Sequence, residues 1–281
     1  MTTLDETVSA GEQWDAANYA SKQHLLQVVR DSAAAFFDLV EAPDHWEVQV
    51  TPHWQVRDLA GHMVDVIEGY LPAFDIARTG GEAPAPFGNR IMKDRLNERA
   101  QALRSVPRAV LLQRLHGKFE QLMAHLERLD ETEWTGLMVC HPYWGPVPSF
   151  CYPAFQLMDY GVHAWDIREA LRLSHGLSPD VADFLVPFMF ILMQGTHDTE
   201  RVPSLPRPVG FRVSGRNGGT WKVTVGEAGF QYERGPVDGL PTVFEFDPAS
   251  FVLTSFGRIR GGTAYGDGEL ADRFRGMFFA I

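Results

Sequence analysis

Residues 54–72, WQVRDLAGHMVDVIEGYLP, decide the fold. Val56, Leu59, Met63, Val66, Ile67 and Tyr70 recur at intervals of three and four, the period that gathers side chains on one face of an α-helix. Thr51-Pro52 announces the start, and Pro72 is expected to close the regular part, because proline lacks the N–H that an interior turn needs. One residue interrupts the apolar run. His62 sits in mid-helix among Leu59, Met63 and Val66.

The same period recurs on both sides. Leu25, Leu26, Val29, Ala33, Phe36, Phe37 and Val40 predict a helix within residues 19–40, ended by Pro43. After a Gly/Pro-rich piece over 80–88, helical spacing resumes across 95–129, broken or bent at Pro107, with Leu111, Leu115, Phe119, Leu122 and Leu126 as its buried stripe. Residues 130–153 hold Pro142, Gly145, Pro146, Pro148 and Pro153 and read as an irregular connection. A fourth helix runs from near Pro153 through Leu157, Tyr160, Val162, Trp165, Ile167 and Leu171, and Gly176 and Pro179 stop it. An apolar helix follows to about Gly195. Its core, FLVPFMFILM at 184–193, is well short of the roughly 18 residues that a bilayer requires.

Pro203, Pro206 and Pro208 mark a change of texture. Residues 209–213, 219–225, 230–233 and 242–246 alternate apolar with polar between Gly/Asn turns, as strands do. Asp247-Pro248 looks like a helix start, and a last helix is expected over 269–279. The organisation expected is a mobile tail over 1–18, a helical bundle over 19–202 and a small α+β domain over 203–281.

Composition narrows the function classes. Twenty-five basic against thirty-six acidic residues leave a net charge of −11 over 281 residues. That balance argues against nucleic acid or an anionic membrane as partner, since both are held by neutralising phosphates with Lys and Arg. Two cysteines, Cys140 and Cys151, are too few for a disulfide framework and fit a reducing compartment. The acidic residues Asp5, Glu6, Glu12 and Asp15 give the first segment none of the character of a signal peptide, so a cytoplasmic location is expected. The expected partners are small molecules, with the chain a monomer or homodimer.

Most of the ten histidines fit solvated faces or loops. Asp159 and His163, however, are four apart in the fourth helix and share one face, a turn apart. If that helix packs on the second, His62 can join them as a third ligand. A two-His, one-carboxylate set leaves a coordination position open, as catalytic zinc sites do. The spacing alone is a weak signal and describes better a His–Asp pair hydrogen-bonded in the core. A Cys140–His141 nucleophile is conceivable, although sequence neighbours rarely have the required geometry. Gly261-Gly262 and Gly266-x-Gly268 lack the strand-to-helix setting of a phosphate-binding loop.

The stretch Trp54-Gln55-Val56-Arg57-Asp58-Leu59-Ala60-Gly61-His62 resembles the W-x-V-x-D-L-x-x-H start of the second helix in the DinB-like and mycothiol-dependent maleylpyruvate isomerase superfamily. Asp159-Tyr160-Gly161-Val162-His163-Ala164-Trp165-Asp166 is similar to that family's E-x-x-x-H-x-W-D stretch. Leu253-Thr254-Ser255-Phe256-Gly257-Arg258, with Gly266 to Phe274, resembles the end of the sterol-carrier-like domain attached to the same isomerases. The motifs occur in the family's order over nearly the whole chain.

The resemblance implies a DinB-like four-helix bundle followed by a small sterol-carrier-like α+β domain, with His62, Asp159 and His163 binding a divalent metal, zinc or nickel. The family normally has Glu where this chain has Asp159. One methylene fewer shortens the reach by about 1.5 Å, against a tolerance of about 0.2 Å in metal–ligand distances. The chemistry implied is that of a low-molecular-weight thiol, mycothiol, adding to a small electrophile. An isomerase expels the thiol again and a transferase keeps it, as in actinobacterial, lincosamide-like natural-product biosynthesis. Arg258 matches an arginine of the second domain that acts in catalysis and binds a carboxylate of substrate or thiol. Trp54 and Trp165 flank the ligands as pocket walls, Trp144 lies in the loop 141–149 expected to shape the rim, and Asp166 is placed to orient a ligand histidine. Two other readings stand beside the enzyme: a non-enzymatic small-molecule-binding protein whose metal site has degenerated, and a bundle that mediates association.

Overall fold

The three-and-four spacing forms four long helices in the computed structural model, which describes residues 14–279. They are α1 (Lys22–Glu41), α2 (Val56–Thr79), α4 (Arg108–Glu127) and α6 (Cys151–Ala170), with a shorter α3 (Met92–Ala102) and α5 (Glu131–Gly136) between them. α1 packs against α6 and α4, and α2 against α4 and α6, so the four enclose one core. Leu25, Val29, Phe36, Leu59, Ile67, Leu115, Leu122, Leu157 and Ile167 have no exposed surface in that core. Burial of such side chains, at about 1.5–3 kcal/mol each, is what holds the bundle against chain entropy.

Three expectations change. Pro72 lies inside α2, which runs on to Thr79 and ends at Gly80 in the left-handed conformation, φ 67°. Proline removes one backbone bond, but the turn beyond it buries Phe74 completely, and that packing carries the helix past the defect. The connection 130–153 is ordered: α5 begins at an Asp130–Glu133 capping box, and β1 (Met138–His141) pairs antiparallel with β2 (Gly145–Pro148). Pro146 and Pro148 fit because a two-stranded ribbon has only edge strands, where a missing N–H breaks no inner ladder. Residues 1–13 of the expected mobile tail lie outside the described residues. Its last part is packed: Trp14 is buried edge-on to His24 at 4.5 Å, and Trp134 Nε1 donates to the Ala16 carbonyl at 2.9 Å.

A second unit runs from Ser178. The boundary lies earlier than the expected residue 203 because α7 (Pro179–Thr196) packs on the sheet of its own unit. The Phe190 ring meets Phe211, Trp221 and Tyr232 at 5.4, 4.8 and 5.3 Å. The sheet comprises β3 (Val209–Val213), β4 (Gly219–Gly226), β5 (Gly229–Arg234), β6 (Thr242–Phe246) and β7 (Thr263–Gly266), in the order β5-β4-β3-β6-β7. β3 and β6 are parallel and the other pairs antiparallel. α8 (Pro248–Ser255) starts at Asp247, whose carboxylate accepts from the Ser250 N–H, and α9 (Gly268–Arg275) is shorter than the helix expected over 269–279. The architecture is thus a helical bundle followed by a small α+β domain. Among the described residues, no helix is long and apolar enough to cross a membrane.

Candidate metal centre

His62 owes its place to the start of α2. Asp58, fully buried, accepts the Gln55 N–H at 2.8 Å and two hydrogen bonds from Arg104 at 2.6 Å each. A carboxylate in the first turn also suits the positive end of the helix dipole. One turn further on, His62 directs Nε2 toward α6, 3.6 Å from Asp159 Oδ1. Asp159 and His163 stand one turn apart on α6, as their spacing predicts.

Ligand atoms of His62, Asp159 and His163 all lie within 4.8 Å of one another. Bonds of about 2.1 Å at tetrahedral angles put ligand atoms about 3.4 Å apart, so side-chain rotations of about an ångström would close the set on one ion. The shorter Asp159 still reaches its neighbour. His163 is oriented from behind: its Nδ1 lies 3.1 Å from Asp166 Oδ2, which leaves Nε2 as its free nitrogen. Burial pushes the His163 pKa down and the Asp166 contact opposes that shift. A neutral imidazole held by a carboxylate is the form in which histidine ligates metals.

Trp54 forms one wall. Its ring lies 4.9 Å from that of His62 and 5.7 Å from that of His163, and the two imidazoles meet edge to face at 5.3 Å. His62 and His163 are buried, whereas the Asp159 side chain is 24% exposed. The centre is therefore reached from the Asp159 side.

The structure groups Trp54, His62, Asp159, His163 and Asp166. Trp165 is two residues from His163, hence on the far side of α6, and packs edge-on against His175 at 5.2 Å. Trp144 lies in the β1–β2 turn, where its N–H donates to His141 Nδ1 at 3.3 Å. Arg258 belongs to the second unit. It follows Gly257 (φ 67°) after α8 and donates from Nη1 to the Phe256 carbonyl at 2.9 Å. Cys140 turns its sulfur toward the Pro84 carbonyl, and strand alternation sends it to the face opposite His141.

Sequence reasoning placed Tyr70 only on a helix face, considered His141 only beside Cys140, and left out Tyr152 and Gln156. Tyr152, Gln156, Asp159 and His163 share one face of α6 at intervals of four, three and four, a pattern that marks Gln156 as a polar residue turned toward the ligands. Gln156 has no exposed surface, and neither its Nε2 nor its Oε1 has a hydrogen-bond partner.

The family model of the mycothiol maleylpyruvate isomerase N-terminal domain matches residues 25–168, half of the chain. No curated protein matches the chain significantly. Among solved structures, a mycothiol-dependent maleylpyruvate isomerase aligns with a TM-score of 0.57 at 13% identity, over 86% of this chain and 92% of that one. A histidine-to-alanine mutant of that enzyme aligns with a TM-score of 0.56 at 12% identity over the same shares. At this identity the likeness is one of fold.

Proposed function

The chain belongs to the family defined by the mycothiol maleylpyruvate isomerase N-terminal domain, and from that membership we propose that it is a metal-assisted, mycothiol-dependent isomerase or transferase acting on a small electrophilic metabolite. The observation that carries this reading is the convergence of His62, Asp159 and His163 on one point, with Asp166 behind His163. Two imidazoles and one carboxylate suit zinc or nickel better than magnesium or calcium, which prefer oxygen ligands. A divalent ion there would lower the pKa of a bound thiol, so that a thiolate nucleophile exists at neutral pH.

The chain's own residues supply binding and orientation. His62 and His163 present ring nitrogens to one point, and Asp166 fixes which nitrogen of His163 faces it. Trp54 covers both rings and excludes water from that side, while the partly exposed Asp159 marks the way in. Arg258 is assigned the recognition of a carboxylate on substrate or thiol, for which a guanidinium fork is suited. The second unit is read as a sterol-carrier-like domain, and natural-product intermediates belong to the substrate class proposed.

Elemental analysis tests the reading on protein purified without chelator or added metal, beside His62→Ala and Asp159→Ala. One equivalent of zinc or nickel in the parent, lost in both variants, is the expected result. Turnover of maleylpyruvate or related unsaturated acids should then require mycothiol. A parent that holds no metal even after reconstitution sinks the metal-assisted mechanism and leaves small-molecule binding as the better account.

A further inference from the structure

A polar segment braces the helix that carries His62. α3 and the short helical turn after it, Leu103–Ser105, pack against α2 near its start. Only Met92 and Ala100 of α3 are buried, so apolar burial supplies little of that attachment. The backbones come close at one point, where a Cβ on Gly61 would lie 3.0 Å from the Ala100 carbonyl oxygen and 3.4 Å from Leu103 Cβ.

Polar contacts flank that point. Arg99 donates from Nε to both carboxylate oxygens of Asp65 at 2.7 Å. Gln101 Nε2 donates to the His53 carbonyl, just before Trp54, at 3.3 Å. Arg104 donates from Nε to Asp58 Oδ1 and from Nη2 to Asp58 Oδ2, at 2.6 Å each.

The two ion pairs differ in kind. Asp65 lies inside α2 with its side chain 14% exposed, so water can take the place of Arg99. Asp58 has no exposed surface and belongs to the first turn, where backbone N–H groups lack acceptors within the helix. One of its oxygens meets that need by accepting the Gln55 N–H at 2.8 Å. A buried carboxylate keeps such a place only while a cation neutralises it, and the Arg104 fork does so through two parallel bonds. Without Arg104, Asp58 must take up a proton or turn toward water, and either change weakens its hold on Gln55. Trp54 directly precedes Gln55, and His62 follows Asp58 by one turn, so both depend on how this turn is set.

We propose that Arg104 is a positioning residue for the candidate metal centre: by holding Asp58 as a buried carboxylate it fixes the first turn of α2, and through that turn the Trp54 ring and the His62 imidazole. The inference rests on the reading above that His62 is a metal ligand. Arg104 acts only through Asp58, and its own side chain is 36% exposed. A small tilt of the turn suffices, because metal–ligand distances tolerate only about 0.2 Å.

The test compares Arg104→Ala with Arg99→Ala, which removes the other ion pair between the same two segments. Long-range 15N NMR of the metal-free full chain reads the Trp54 indole and the His62 imidazole, and competition with a chromophoric chelator reads zinc affinity. Melting temperature is recorded for each variant. In Arg104→Ala the Trp54 and His62 signals should shift, and zinc affinity should fall by about tenfold or more. Arg99→Ala should leave both signals in place and zinc affinity within about twofold of the parent. Arg104→Lys keeps the charge but not the fork, so it should recover part of the lost affinity, and it keeps the test open if Arg104→Ala fails to fold. Equal effects of the two alanine variants would reduce Arg104 to a brace of stability and overturn the proposal. Unmoved Trp54 and His62 signals in a folded Arg104→Ala would overturn it as well. If the parent binds no zinc but those signals move as expected, the metal reading above fails and the positioning role stands. If Arg104→Ala binds zinc as tightly as a zinc-binding parent, the positioning role fails and the metal reading stands.

Discussion

The two units treat buried polar groups in opposite ways. In the second, the core is a continuous set of aromatic contacts through Phe190, Phe211, Phe244, Phe251 and Phe274, and its interior polar groups are matched. Asp183 accepts from the Arg216 backbone N–H at 3.0 Å and from its Nε at 2.7 Å, Gln194 donates to the Phe230 carbonyl at 2.9 Å, and Thr242 donates to the Asp267 carbonyl at 2.8 Å. In the bundle, Trp54 Nε1, His62 Nδ1, the hydroxyls of Tyr152 and Tyr160 and the amide of Gln156 are buried without a hydrogen-bond partner. Most folds satisfy such groups, and departures gather where a ligand completes them. The contrast separates a unit whose buried polar groups are matched from one in which several of them are not.

The largest expected effect comes from acid. His141 titrates near 6.5 in the unfolded chain and near 4 in the folded one. Above pH 6.5 both states are neutral, and His141 adds no pH dependence. Between pH 6.5 and 4 the unfolded chain takes up a proton that the folded ring refuses, so stability falls as pH falls, by about 3 kcal/mol for a shift of this size. Below pH 4 both states are charged and the loss is complete. Urea unfolding of the parent and His141→Asn at pH 7.5 and 4.5 measures the difference, and the variant should show the shallower decline. Equal declines would mean that His141 is not held neutral in the bundle.

Next comes the matched side of the contrast. Asp183→Ala leaves the Arg216 backbone N–H and guanidinium without that acceptor and should destabilise the chain by about 2 kcal/mol, since the arginine is partly solvated. Gly215 tightens the same corner: at φ 97°, a Cβ there would lie 2.3 Å from Asp183 Oδ1. A shift in the urea midpoint of Asp183→Ala no larger than that of a surface control would remove the matched half of the comparison.

A third prediction concerns the contact behind the candidate metal centre. Asp166→Asn keeps the shape but loses the charge facing His163 Nδ1, and metal affinity should fall about 10–100-fold with the melting temperature of the metal-free protein little changed. Competition with a chromophoric chelator reads this directly. Unchanged affinity would show that Asp166 serves the packing of α6 and not the centre.

How much of this was legible in the sequence follows from distance along the chain. Helix faces repeat every few residues, so α1, α2, α4 and α6 can be read directly, and Asp159 and His163 fall on one face by spacing alone. The strand alternation of β3 to β6 is equally local. The β1–β2 ribbon was hidden because its prolines read as breaks, and they are tolerated only where no third strand joins. The placement of α7 with the sheet depends on aromatic contacts from Phe190 to residues 21 or more positions away, which no local pattern records. Tyr70 and His141 are 71 residues apart, and the tautomer that links them depends on two backbone N–H groups set by the hairpin turn. Local periodicity therefore exposes candidate ligands that share a helix, whereas a contact such as that of Tyr70 with His141, made by tertiary packing, stays invisible until the fold is known.

The smallest effect is the most direct probe of the bundle's side of the contrast. Tyr152→Phe removes a hydroxyl that has no hydrogen-bond partner and leaves the ring contacts with Tyr70, Phe74 and Phe155 intact. Deleting a bonded buried hydroxyl usually costs about 1 kcal/mol, whereas deleting an unbonded one removes a desolvation penalty. The variant should therefore unfold at a urea concentration equal to or above that of the parent, with a gain of about 1 kcal/mol at most. A loss of stability would instead mean that this hydroxyl is already bonded in the free protein, by an ordered water in the bundle, and the contrast between the two cores would narrow by that one group.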